Sequence, residues 1–267
     1  MHHYLNIAIK AARRAGTLVI RAVEHLEHLE HLEQITMQST DQHNDVITSV
    51  NQTSQTAIIA IINKAYPTHG ILAAGNSTIG SDPITWIIDP LNGTLNFIHG
   101  FPQYSIAIAI KCKGTIEHSV VFDPINNELF TASRGSGAQM NERRIRVSNC
   151  KHIKYALLAT GFSSKSSKQH KQHLLHNFNN LLTQCANIRI TGSTALDLAY
   201  IALGRLDGYW HNNLQPWQLA AGSLLVREAG GFISDHQGEN KFLQNGQIIA
   251  GTTKVYAHII EQLYKIP

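Results

Sequence analysis

The segment TWIIDPLNGTLNF, residues 85–97, constrains the fold more than any other stretch of the chain. Trp86, Ile87 and Ile88 form a short apolar run of strand-favouring residues, which Pro90, Asn92 and Gly93 then interrupt. Thr94 begins a new apolar pattern of helical type. A buried strand, a Pro/Asn/Gly turn and a helix start in this order predict an α/β arrangement.

The flanking sequence extends the pattern. Residues 4–24 place Leu5, Ala8, Ala11, Ala12, Val19 and Ala22 at helical spacing. Residues 45–50, DVITSV, alternate as a strand does, and residues 53–65 read as a second helix that stops at Tyr66-Pro67. Residues 70–75 read as a strand running into a turn. The runs SIAIAIKC and SVVFDPINNELFTASRG predict a meander of antiparallel strands. From about residue 152, strands (ALLATGF, IRITG, GYW, GFISD) alternate with helices expected at 168–184, 193–203 and 217–229. The expected organisation is an α+β half, 1–150, and a more wound α/β half, 151–267, packed as one unit because no flexible linker separates them.

Composition narrows the functional classes. The chain carries 22 basic and 18 acidic residues, a net charge of +4, and only 15% charged residues. Arg143, Arg144 and Arg146 make its densest basic stretch, which reads as a solvated strand edge, so sequence-specific nucleic-acid binding is not expected. Cys112, Cys150 and Cys185 are odd in number and widely spaced, which fits a reducing cytoplasm rather than a disulfide framework or a zinc site. Charges interrupt the N-terminal apolar pattern and there is no 18-residue apolar run, so neither a secretory signal nor a membrane span is expected. His25, His28 and His31 recur in a tandem HLEHLEHLE tract. A repeat of three drifts around a helix of 3.6 residues per turn, so a surface segment is the better reading than a metal stripe.

Residues 86–102, WIIDPLNGTLNFIHGFP, resemble a signature of the inositol monophosphatase family, W-I/V-I/V-D-P-I/L-D-G-T-x-N-F. QPWQLAAG, residues 215–222, is similar to its second signature, P-W-D-x-A-A-G. Residues 192–210 resemble the family's substrate-side helix, and residues 123–148 its central strands. The opening MHHYLNIA, the run GSTALDLAY and LLVREAGG look like the bacterial SuhB branch. The resemblance runs through nearly the whole chain in order. It implies a layered αβαβα sandwich, a homodimer, and Mg²⁺-dependent hydrolysis of small phosphate monoesters such as inositol 1-phosphate. For the SuhB branch it also implies a Nus-factor role in ribosomal-RNA transcription antitermination, with RNA polymerase and NusA as partners.

The family pattern also exposes what is missing. Relatives supply five acidic ligands to their metal ions. Asp89 matches one of them, while Asn51, Ala74, Asn92 and Gln218 stand at the other four positions. Mg²⁺ is a hard ion that demands anionic oxygens, and two such ions carry four positive charges against at most one from Asp89. Losing even one well-placed electrostatic group commonly costs ~10²–10³ in rate. No cofactor is therefore expected to bind tightly, and the chain reads as a binding protein that has lost the phosphatase reaction. The competing reading keeps a weak Mg²⁺-dependent inositol-1-phosphate phosphatase whose ligands are displaced onto Asp82, Asp123, Asp197 or Asp207. Thr94 matches the family's water-orienting threonine. Gly93, Thr94, Gly192, Ser193, Thr194 and His211 match its substrate-side or phosphate-binding positions, where a phosphate or small phosphate ester could still bind. His99 is the other histidine expected near this cleft, and Trp86, Trp217, Leu196, Leu198 and Leu225 read as plain core.

Overall fold

The computed structural model describes residues 3–33, 40–162 and 168–264, with no account of the side chains at 25–47, 163–171, 173 and 264. The chain opens with two long helices, α1 (His3–Glu33) and α2 (Thr40–Ala65). Strands β1 (Gly70–Ala73), β2 (Asn76–Thr78) and β3 (Ile84–Asn92) follow, then the short helix α3 (Thr94–Ile98). Next come β4 (Ser105–Cys112), β5 (Thr115–Asp123), β6 (Glu128–Ser133), β7 (Gly137–Met140) and β8 (Arg143–Ile145). The later half runs β9 (Leu157–Thr160), α4 (Lys168–Leu182), β10 (Asn187–Arg189), α5 (Thr194–Leu203), β11 (Gly208–His211) and α6 (Pro216–Glu228). It ends with β12 (Phe232–Ser234), α7 (Phe242–Asn245), β13 (Ile248–Gly251) and α8 (Thr253–Tyr264).

Among the described residues the strands form two sheets, of order β2-β1-β3-β4-β5-β6-β7-β8 and β10-β9-β11-β13-β12. In the first, only β1 and β3 run parallel. Helices α1 and α2 cover one face of this sheet, α5 and α6 lie between the two sheets, and α4 and α8 cover the outer face of the second. The layers therefore alternate αβαβα, each seam filled by its own apolar cluster.

Strand β4 shows why the sequence folds this way. Its Ile106, Ile108 and Ile110 point into the seam with α1 and α2, and its Ala107 and Ala109 into the seam with α5 and α6. The alanines leave room for α6 to lie close to the sheet. Within the middle layer Gly222 of α6 sits against Leu198 of α5 so tightly that an added Cβ would come within 2.5 Å of it.

Residues 45–50 are not a strand. They are helical and continuous with residues 53–65 as α2. The helical stripe is Val50, Ser54, Ile58 and Ile62, four residues apart, facing the seam with α1 and β3. Helix α1 continues through the HLE repeat as helical backbone, and the side chains of His25, His28 and His31 lie outside the described residues. Arg143 and Arg144 do lie exposed on an edge strand, β8.

Candidate functional site

A cleft of about 500 Å³ opens where α2, the β1–β2 turn, the end of β3 and the start of α6 meet. Asn51, Ala74, Asp89, Asn92 and Gln218 all line it. Four stretches of chain far apart in sequence thus deliver the five positions singled out above to one place. Thr48, Gln52, Gln55, Gly75, Pro90, Leu91, Gly93, Thr94 and Trp217 complete the wall. Thr48, Asn51, Gln52 and Gln55 are spaced i, i+3, i+4, i+7, one face of α2.

Local structure aims each side chain. Residues three apart on a regular strand point to opposite faces, so Asp89 and Asn92 could not meet on one. The pairing of β3 with β4 shifts register between them, an irregularity at Pro90-Leu91 that turns both side chains toward each other. Ser54 of α2 fixes this bulge by donating to the Pro90 carbonyl at 2.8 Å. Gly93 then adopts φ 96°, and any Cβ there would lie 2.7 Å from the Gln103 carbonyl oxygen. Ala74 and Gly75 form the two-residue turn of the β1–β2 hairpin, with Gly75 at φ 67°. Gln218 occupies the first turn of α6 behind Pro216, and its Oε1 accepts the Gln215 N–H at 2.9 Å, so it caps its own helix.

The electrostatics centre on Asp89, which is only 6% exposed. Burial pushes its pKa up to about 6, against the opposing effect of hydrogen bonds from Asn92 and the Leu91 backbone. Asn92 donates from Nδ2 to Asp89 Oδ2 at 2.8 Å. Its Oδ1 accepts from Ser193 Oγ at 2.8 Å and from the Ala195 N–H at 3.0 Å. Asn92 thus presents an NH₂ donor to Asp89 where a second carboxylate would present an anionic oxygen. Apart from Asp89, no charged side chain lines the cleft among the described residues. This donor set does not fit a pair of Mg²⁺ ions: it offers one carboxylate, already occupied by a protein donor and weakened by burial.

The other aspartates are engaged elsewhere. Asp82 contacts Thr68 and lies 3.8 Å from His69 Nε2. Asp123 accepts the N–H groups of Ile125 and Asn126 in a turn. Asp207 accepts the Leu157 N–H at 2.7 Å and bonds Ser148. Asp197, 1% exposed, accepts from Thr191 Oγ1 at 2.8 Å, and burial raises its pKa to about 8.

Of the substrate-side positions, Gly93 and Thr94 line the cleft, Thr94 in the first turn of a five-residue helix. Gly192, Ser193, Thr194 and His211 are not among its lining residues. Ser193 stands directly behind Asn92. Thr194 shares a hydrogen bond of 2.9 Å with the Tyr209 hydroxyl, and His211 Nδ1 lies 2.6 Å from the Asn212 carbonyl oxygen. Gly192 adopts φ 81° against the Asn96 side chain, which bridges the Gln103 and Thr191 carbonyls at 2.7 Å each. His99 ends α3 and is exposed outside the cleft wall. Trp86, Leu196, Leu198 and Leu225 are fully buried, whereas Trp217 is half-buried and forms part of the wall, a correction to its reading as core. Sequence reasoning missed Thr48, Gln52 and Gln55; their helical spacing was the available signal.

The profile of the Inositol monophosphatase family matches residues 1–267. The protein named Nus factor SuhB from Pseudomonas aeruginosa is 44% identical over 266 residues, 97% of this chain and 95% of that protein. Its counterpart of the same name from Escherichia coli K12 is 44% identical over 257 residues, 96% of this chain and 93% of that one. Among solved structures, the extragenic suppressor protein suhB of Bartonella henselae superposes with a TM-score of 0.87 at 36% identity, covering 98% of both chains. The inositol monophosphatase of Anabaena gives a TM-score of 0.85 at 29% identity over 99% of this chain and 96% of that one.

Proposed function

Because the chain belongs to the inositol monophosphatase family, we propose that it is a binding protein on a phosphatase scaffold, acting as a Nus factor and no longer running Mg²⁺-dependent hydrolysis. The observation that carries the reading is the Asp89–Asn92 contact: the one carboxylate of the cleft is satisfied by an amide donor at 2.8 Å. Hydrolysis of a phosphate monoester has a very high uncatalysed barrier, and in this family metal ions neutralise the charge on the transferring group. A wall of Asn51, Gln52, Gln55, Asn92 and Gln218 amides supplies dipoles without net charge.

The partner class rests on the relatives named Nus factor SuhB, at 42–44% identity. RNA polymerase and NusA are the proposed partners, in the cytoplasm, where the free thiols of Cys112, Cys150 and Cys185 are stable. A homodimer is part of the same reading. Leu95, Phe101 and Ile190 are more than half exposed and flank the Asn96 bridge, which offers an apolar surface for a second copy.

Calorimetric titration with Mg²⁺, run beside an inositol 1-phosphate hydrolysis assay, tests the lost reaction. The expected result is no saturable binding at millimolar metal and no turnover above background. Two bound ions with turnover like that of active relatives would overturn it. Installing Asn51→Asp, Ala74→Glu, Asn92→Asp and Gln218→Asp together should recover metal binding, since the backbone that aims these positions is in place. Pull-down with purified NusA and RNA polymerase at moderate salt tests the partners, and no association would remove that part of the reading. Light scattering on the eluting peak reports the dimer.

A further inference from the structure

A second depression, of about 260 Å³, opens between the start of β5, the turn after β6, the last turn of α6 and α7. It shares no residue with the cleft around Asp89. Two arginines line it, Arg134 and Arg227, and no acidic residue does. Arg134 spends its Nε on Glu117 at 3.1 Å and on the Ile116 carbonyl at 3.2 Å; among the described residues nothing is bonded to its two terminal nitrogens. Arg227 donates from one terminal nitrogen to the Asn240 side chain, and its guanidinium carbon lies 5.5 Å from the centre of the Phe242 ring. No carboxylate of the described residues lies within ion-pair distance of Arg227. Glu228, its neighbour in sequence, is turned away and accepts the Gly135 and Gly137 N–H groups at 2.9 and 2.8 Å.

Two guanidinium groups facing one cavity repel each other. Burial and the charge of Arg134 both hold the Arg227 pKa below its ordinary value. The C-terminal end of α6 offsets part of this cost, because a helix end of that polarity favours a cation. The remainder is an electrostatic deficit that a bound anion would remove.

We propose that this depression binds a small phosphomonoester, with Arg134 and Arg227 on the phosphate and Leu224, Phe242 and Leu243 against its carbon end. Planar guanidinium forks match phosphate oxygens; Arg134 shares its charge with Glu117 through Nε, so Arg227 supplies the uncompensated charge and Arg134 its two terminal nitrogens. The Thr115 hydroxyl and the Gln244 amide stand on the same wall as further donors. The volume holds a phosphate with a short carbon skeleton, not a nucleotide chain. The site is one of binding only: among the described residues no metal-ligating cluster adjoins it, and no histidine or carboxylate that could activate the Thr115 or Ser223 hydroxyl lines it.

Calorimetry and amide-shift mapping on the full chain, with inorganic phosphate and phenyl phosphate as probes, test the proposal. One site should saturate with each probe, and phenyl phosphate should bind more tightly because it reaches the apolar floor. Arg227→Met should weaken both probes by about tenfold or more, as expected on losing a charge-assisted hydrogen bond. Arg134→Met should act in the same direction, Arg227→Lys should fall between, and Gln52→Ala on α2 in the other cleft should change nothing. Equal affinity in the parent and the arginine variants overturns the proposal. So does weakening by Gln52→Ala instead, or equal competition by chloride at matched ionic strength. If Arg227→Met does not fold, Arg227→Lys and Arg134→Met decide the question by the same readings.

Discussion

Two buried carboxyl groups, Asp89 and Asp197, sit on opposite sides of the Asn92–Ser193 contact, and their surroundings differ by the donors they meet. Asp89 receives an amide N–H from Asn92 and a backbone N–H from Leu91, and its pKa rises to about 6. Among the described residues Asp197 receives the Thr191 hydroxyl alone, and its pKa rises to about 8. At neutral pH the first is therefore mostly ionised and the second mostly protonated. In the cleft the ionised Asp89 is held by an amide donor, whereas the seam behind it keeps an acid that behaves as a neutral structural group. Burial sets the baseline for both, and the donors each meets decide how far each departs from it.

The largest effect expected from this contrast is on stability as a function of pH. Below about pH 4 Asp197 is protonated whether the chain is folded or not. Between there and about 8 only the unfolded chain releases the proton, so the fold loses stability as pH rises through that window and the loss levels off above it. At 1.36 kcal/mol per unit the change is up to about 5 kcal/mol. Urea titrations across pH 4–9 should show this slope in the parent and a much flatter line in Asp197→Asn. An unchanged slope would place the carboxyl in water and end the contrast.

Next comes Asn92→Asp. The new carboxylate keeps the donors from Ser193 and Ala195 but sets an oxygen against Asp89 where an N–H now stands. Losing a buried hydrogen bond to a charged group costs about 1.5–3 kcal/mol, and the repulsion of the second carboxylate adds to it. Thermal melts should show the loss, and millimolar Mg²⁺ should restore part of it in the variant while leaving the parent unmoved. A variant as stable as the parent without metal would mean that the Asn92 amide does not stabilise the Asp89 carboxylate.

Asp89→Asn should be milder and of opposite sign. Asp89 loses stabilising power as pH rises from about 4 through 6, roughly 3 kcal/mol by the same conversion. The variant should therefore match or exceed the parent at pH 7 and lose the advantage near pH 4. Ser193→Ala is the smallest, about 1 kcal/mol, for one of the two donors on Asn92 Oδ1. A cost well above that in denaturant melts would show that the Asn92 orientation depends on Ser193 alone.

Much of this was legible in the chain. SIAIAIKC was legible as a strand and residues 85–97 as a strand and a helix start, but where a Pro/Asn/Gly turn was expected β3 runs on through Pro90 to Asn92 with a register shift, because Asn92 still pairs with Ser105. The five cleft positions followed from motifs matched residue by residue, because those motifs are long. Helix α2 was misread where Val46, Thr48 and Val50 alternate like a strand. The helical stripe was masked by a polar residue at a core position, Ser54, which is buried because it serves the Pro90 carbonyl. That misreading concealed the polar face of Thr48, Asn51, Gln52 and Gln55, which exists only once the segment is a helix. Ser193, Thr194 and His211 were matched by position, but their hydrogen-bond partners are long-range or backbone atoms that no local pattern announces.

The unequal faces of β4 have a further consequence. With alanines beneath it and Gly222 pressed on Leu198, α6 is seated in close contact with both the sheet and α5. Gln218 therefore stands on the side of the cleft that is anchored through two layers of the molecule at once, facing the amides of α2.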